Sequence, residues 1–111
     1  MSVTIDSERV GGVLVAQVNA DSLETNNVTA FRVAIAPVLE QADQVVLDLS
    51  KVAFMDSTAL GALLSCLRLM KAKGGSLRVA SLAPDVKKLF SMVMMDRVFE
   101  IYPSAETAIS A

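Results

Sequence analysis

The chain has 111 residues, 53% of them hydrophobic and 20% charged, which suits one domain with its own core and excludes disorder. A net charge of −2 and a pI of about 5.0 give none of the positive field that nucleic-acid binding needs. Histidine is absent and Cys66 is the one cysteine, which excludes Ser-His and Cys-His catalysis, phosphohistidine relays, histidine metal ligands, a cysteine metal cluster and an internal disulfide.

Val3, Ile5 and Ser7 begin an alternating pattern, Gly11-Gly12 reads as a hairpin turn, and Val13 to Val18 reads as the second strand. Thr25-Asn26-Asn27 offers helix-capping residues. Behind it, Val28, Phe31, Ile35, Val38, Leu39 and Ala42 fall on one helical face. Pro37 lies within that helix and lacks a backbone donor, so it is expected to kink the helix or end it early. Gln44 to Leu49 predicts the clearest strand.

A second helix is predicted from Ser57 to about Lys73, with Leu60, Leu63, Leu64, Leu67 and Met70 at core spacing. Gly74-Gly75 stops it. Ser76 to Ala80 predicts a short strand. Pro84 suits the first turn of a third helix that faces Val86, Leu89, Phe90 and Val93 to the core. Val98 to Tyr102 predicts a last short strand, and Ser104 with Glu106 opens a terminal helix. The alternation implies a single α/β domain over residues 1–111. Its mixed central sheet has about five strands, with about four helices packed mainly on one side.

A mean hydropathy of +0.51 is high, yet no stretch approaches the roughly 20 uncharged apolar residues of a membrane helix. The longest apolar segment, Ala59 to Met70, is interrupted by Gly61, Ser65 and Arg68. Elements buried on more than one side account for the excess. Asp6, Glu8 and Arg9 stand where a leader would be basic and then apolar. A cytoplasmic protein with no direct membrane insertion is expected.

The informative stretch is VVLDLSKVAFMDSTALG, Val45 to Gly61. A buried strand ends near Leu49, and Val52, Ala53 and Phe54 lead to Met55-Asp56-Ser57-Thr58 and a helix start. Ser57 caps that helix, or lies in its first turn behind Asp56 as cap. In either place its hydroxyl lies at the positive end of the helix dipole, beside unpaired amides. A phosphate added there would be held rather than unfold the domain, and would change the surface by roughly −2 charge. By residue type alone, serine at a helix start is most simply a cap.

VVLDLSKVAFMDSTALG resembles the signature of STAS domains, which occur in sulfate transporters and anti-sigma factor antagonists. KAKGGSLRVASLAPDVKKLF resembles the helix end, strand and helix that follow in that family. The resemblance runs along essentially the whole chain and is strongest from Val45 to Phe90. It implies that Ser57 is the phosphoacceptor, that Asp56 and Thr58 are its matching neighbours, and that Leu60 and Gly61 seat the helix. It also implies an anti-sigma factor with serine kinase activity that binds and phosphorylates this surface, and a PP2C-type serine phosphatase that reverses it.

No enzymatic activity and no cofactor are expected. Two departures bear on the partner. Ala59 stands where the family has glycine and is expected to offer its methyl group to an approaching partner. Ala20-Asp21-Ser22-Leu23-Glu24 replaces a Gly-x-Leu-Asp pattern with one extra residue, and Glu24 is expected in place of that aspartate near Ser57.

Among other residues, Cys66 reads as a half-buried packing residue. Met92, Met94 and Met95 read as core or loop filling, with a soft contact surface as the alternative. Lys87, Lys88, Arg68, Lys71 and Lys73 read as solvated faces. Asp48 and Asp56 stand at opposite ends of a connection and read as structural. A second functional reading is a structural subunit beside a transporter ATPase, in which the Ser57 region is a fixed interface.

Overall fold

The computed structural model describes residues 3–111. β1 (Thr4–Val10) and β2 (Val13–Asn19) form the antiparallel hairpin, in register from Val10 opposite Val13 to Thr4 opposite Asn19. Gly11 turns it with φ +61°, a left-handed backbone that glycine adopts without a steric penalty. β2 then pairs in parallel with β4 (Gln44–Asp48), β4 with β6 (Ser76–Ala80), and β6 with β7 (Glu100–Tyr102). The sheet order is β1-β2-β4-β6-β7.

Parallel neighbours need long crossovers, and three helices supply them: α1 (Val28–Glu40), α2 (Ser57–Ala72) and α3 (Pro84–Met92). α4 (Ala105–Ile109) follows β7.

The period-2 alternation of the strands divides the core. Leu14, Ala16, Val45, Leu47, Leu77 and Val79 face one way, in one cluster with Phe31 and Ile35 of α1, Leu63 and Met70 of α2, and Phe90 of α3. Val13, Val46 and Ala80 face the other way and meet Ala108 of α4. The five-stranded mixed sheet with helices mainly on one side is as the sequence predicts.

Pro37 does not end its helix. α1 continues to Glu40, and the burial of Val38 and Leu39 just beyond the proline outweighs the missing hydrogen bond. At the end of α2, Gly74 takes φ +79° and the Gly75 amide bonds the Met70 carbonyl at 2.8 Å. A side chain at Gly75 would collide with the Asp43 carbonyl, so glycine there lets the helix end pass close to the start of β4.

The end of α3 corrects the sequence reading. Val93 is 44% exposed, Met92 74% and Met94 59%, so these three do not fill the core; Met95 alone of the methionines there packs against it. The last strand begins at Glu100 rather than Val98. A 3-10 turn, Met95–Arg97, precedes it and directs Phe99 inward, with its ring 5.7 Å from that of Phe90. The sequence also did not predict two very short strands, β3 (Ser22–Leu23) and β5 (Phe54–Met55), which pair in parallel as a separate small sheet.

Candidate functional site

β4 ends at Asp48, whose carboxylate accepts the Ser50 amide at 2.9 Å and turns the chain. The connection to α2 is then tied to the one between β2 and α1. The Ala53 amide bonds the Asp21 carbonyl at 2.8 Å, β5 pairs with β3, and the Asp56 amide bonds the Leu23 carbonyl at 3.3 Å. Leu23 and Met55 are buried beneath this pairing. Backbone pairing therefore brings two loops far apart in sequence to the same place, at the N-terminus of α2.

Asp56 caps α2 from an extended backbone (φ −108°, ψ −179°). Its Oδ1 accepts the Ala59 amide at 3.0 Å, and its Oδ2 accepts both the amide and the hydroxyl of Thr25, each at 3.0 Å. Partial burial pushes the Asp56 carboxyl up. The bonds from the Ala59 and Thr25 amides, the Thr25 hydroxyl and the Thr58 amide outweigh that and hold it below its ordinary value. Ser57 is the first helical residue and is exposed, and its hydroxyl has no hydrogen-bond partner among the described residues. Thr58 is exposed too, with its Oγ1 3.2 Å from Thr25 Oγ1.

Asp56, Ser57 and Thr58 thus stand together at one helix end. Glu24 does not point its carboxylate at that trio; Oε2 accepts the Ser22 hydroxyl at 2.7 Å. Its neighbour Thr25 makes the contact instead. Ala59 is a correction: at 1% exposure its side chain lies in the core, so it offers no methyl group to a partner. Gly61 is exposed, with open space where a side chain would stand.

Thr25 is the site residue that sequence reasoning missed. It read as part of a capping run for α1, but Asn27 serves that turn. Buried Asn27 accepts the Glu24 amide at 2.8 Å and donates to the Ser22 carbonyl at 2.7 Å. Only the β3–β5 pairing, invisible in two-residue strands, carries Thr25 to Asp56.

Cys66 is buried on α2, and burial pushes its thiol up to about 11 despite nearby Arg32, which leaves it protonated and inert at neutral pH. No group of acidic or cysteine side chains able to hold a metal ion occurs among the described residues. No helix among them is long and apolar enough to cross a membrane.

Residues 4–108 match the sequence profile of the STAS domain. The chain belongs to the STAS-domain family. This STAS chain is 28% identical to the anti-sigma F factor antagonist of Paenibacillus polymyxa, over 99% of its own length and 95% of that protein's. It is 29% identical to the anti-sigma-B factor antagonist of Bacillus subtilis (strain 168), over 81% of its length and 84% of the relative's. Among solved structures, an anti-sigma factor antagonist from Mycobacterium paratuberculosis superposes with a TM-score of 0.83 at 27% identity, covering 98% of this chain and 92% of that one.

Proposed function

We propose that this STAS domain is an anti-sigma factor antagonist that works as a partner switch set by phosphorylation of Ser57. The observation that carries the reading is the Ser57 hydroxyl itself. It is exposed, unbonded among the described residues, and held at the first turn of α2 behind a bonded Asp56 cap. Similarity to relatives named as antagonists of anti-sigma factors supplies the partner class. Unmodified, the domain binds an anti-sigma factor with serine kinase activity through Asp56, Thr58 and the open surface at Gly61, with Glu24 at the margin. The kinase transfers phosphate to Ser57 and releases the domain; a PP2C-type serine phosphatase resets it.

The physics is one of surface change with little change in stability. A phosphate at Ser57 gains about 0.3–1 kcal/mol from the helix dipole. On a partner surface fitted to a neutral hydroxyl, the added charge costs several kcal/mol through repulsion and desolvation. Asp56, whose lowered pKa makes it a weak base and whose oxygens already accept from Ala59 and Thr25, is poorly suited to activate Ser57, which accords with a partner kinase supplying the base.

A pull-down from the native cell extract with wild type and Ser57→Asp tests this. Capture of a kinase-like protein by wild type and its loss with Ser57→Asp is the expected result. Equal capture of transporter subunits by both proteins would make the domain a structural subunit instead, with the exposed Met92, Val93 and Met94 as its obvious contact.

A further inference from the structure

Two hydroxyls stand side by side at the α2 N-terminus, on Ser57 and Thr58, and both residues are exposed. Accessibility alone does not choose between them. The hydrogen bonds do. Asp56 Oδ2 is a carboxylate oxygen held ionised, so it only accepts, and the Thr25 hydroxyl 3.0 Å away must donate to it. A threonine hydroxyl has one proton. Once that proton points at Asp56, the 3.2 Å contact between Thr25 Oγ1 and Thr58 Oγ1 has a single possible polarity. Thr58 donates and Thr25 accepts. The result is a directed relay from Thr58 through Thr25 to Asp56, with its sense fixed at the charged end.

The relay occupies the proton that a kinase must remove. Phosphoryl transfer forms a bond from the acceptor oxygen to phosphorus, breaks the bond from phosphorus to the leaving nucleoside diphosphate, and hands the hydroxyl proton to the kinase's base. Thr58 offers that proton to Thr25, and presenting it to a kinase's base means giving up this bond. The Ser57 hydroxyl has no partner among the described residues.

We infer that Thr25 is a specificity-determining residue: through this relay it withholds Thr58 from phosphorylation and leaves Ser57 as the acceptor. The inference rests on the phosphorylation switch proposed above and adds a residue from a different loop to it. Thr25 is a positioning residue, since it touches neither phosphate nor nucleotide. One neutral hydrogen bond of ordinary strength corresponds to a preference of roughly fivefold.

The test maps phosphate by mass spectrometry, with fragment ions that resolve Ser57 from Thr58, on protein purified from the cells in which it occurs. Wild type, Ser57→Ala, Thr25→Val with Ser57→Ala, and Thr25→Ser with Ser57→Ala are compared, and each is checked for native circular dichroism. Wild type is expected to carry phosphate chiefly on Ser57 with only a minor fraction on Thr58, and Ser57→Ala to carry several-fold less than wild type. Thr25→Val in the Ser57→Ala background is expected to raise phosphate on Thr58 roughly fivefold. Thr25→Ser keeps the hydroxyl and is expected to keep Thr58 withheld, which a merely structural effect of altering Thr25 would not produce.

Phosphate on Thr58 equal to that on Ser57 in wild type, or no rise with Thr25→Val, would overturn the inference while leaving the Ser57 switch intact. Absence of phosphate from wild type under every growth condition would overturn the switch, and the inference with it.

Discussion

Two regions at the surface are held in opposite ways. Where the segments 21–25 and 53–58 meet the bonds are long-range: Ala53 to Asp21, Asp56 to Leu23, and Thr25 to Asp56 join residues about thirty apart, over buried Leu23 and Met55. From Ser91 to Phe99 the bonds are local: Met94 to Ser91, Arg97 to Met94, Phe99 to Met95, and the Ser91 hydroxyl to Asp96. The first stretch exposes small polar groups on a rigid base. The second exposes Met92, Val93, Met94 and Val98 and is anchored chiefly by Phe99 and Met95. Long-range pairing fixes where a hydroxyl stands; local bonds only shape a turn. The switch proposed for Ser57 relies on the first kind of support.

The largest expected effect lies under the first stretch. Leu23 is fully buried, so Leu23→Ala should lower the unfolding free energy by about 2–5 kcal/mol in urea titrations. Asp56→Ala comes next. It removes the cap of α2 and leaves two Thr25 donors without their acceptor, for a loss of about 1–2 kcal/mol.

The Asp56 contribution also depends on pH. The folded carboxyl lies below its unfolded value, so its stabilisation is complete above the ordinary carboxylate range and is lost as pH falls through the folded value. Asp56→Asn keeps a capping group without the charge. Its stability should therefore fall less than that of wild type between about pH 6 and pH 3.

In the second stretch the effects shrink or change sign. Met94 is held at φ +60°, a left-handed backbone that disfavours a side chain, and it is largely exposed. Met94→Gly should stabilise the protein by about 0.5–1 kcal/mol, the strain relieved being partly offset by a more flexible unfolded chain. Met92→Ser should change stability by less than about 0.5 kcal/mol. If Met92→Ser cost as much as Leu23→Ala in the same urea series, the contrast between the two stretches would be wrong.

Much of the fold was legible because its elements follow strong periodic signals. The alternation in Val13 to Val18, the apolar run at Val45 to Leu49, the i, i+3, i+4 spacing from Leu60 to Met70 and the Gly74-Gly75 stop all translate directly into β2, β4, α2 and its end. Asp56 and Ser57 were legible for a related reason: a cap is a local device. What escaped was non-local. Two-residue strands carry no periodicity, so β3 and β5 could not be read, and without them nothing links Thr25 to Asp56 or turns Glu24 toward Ser22. Ala59 was misplaced because one residue along a helix swings a side chain by about 100°, enough to move it from the surface to the core. The α3 end was misread because Val93 continues an apolar pattern one residue beyond the last helical one.

β1 has its own consequence. As the outermost strand it leaves one row of backbone donors and acceptors without a strand neighbour among the described residues, an invitation for another chain to add itself. Asp6, Glu8 and Arg9 line that border, all exposed, with Arg9 reaching across to the Gln41 carbonyl at 2.9 Å and Asp6 accepting from Asn19 at 2.9 Å. An incoming strand would have to desolvate these charges before it could pair. The hairpin that starts the fold thus also makes its own edge a poor place for another copy to add.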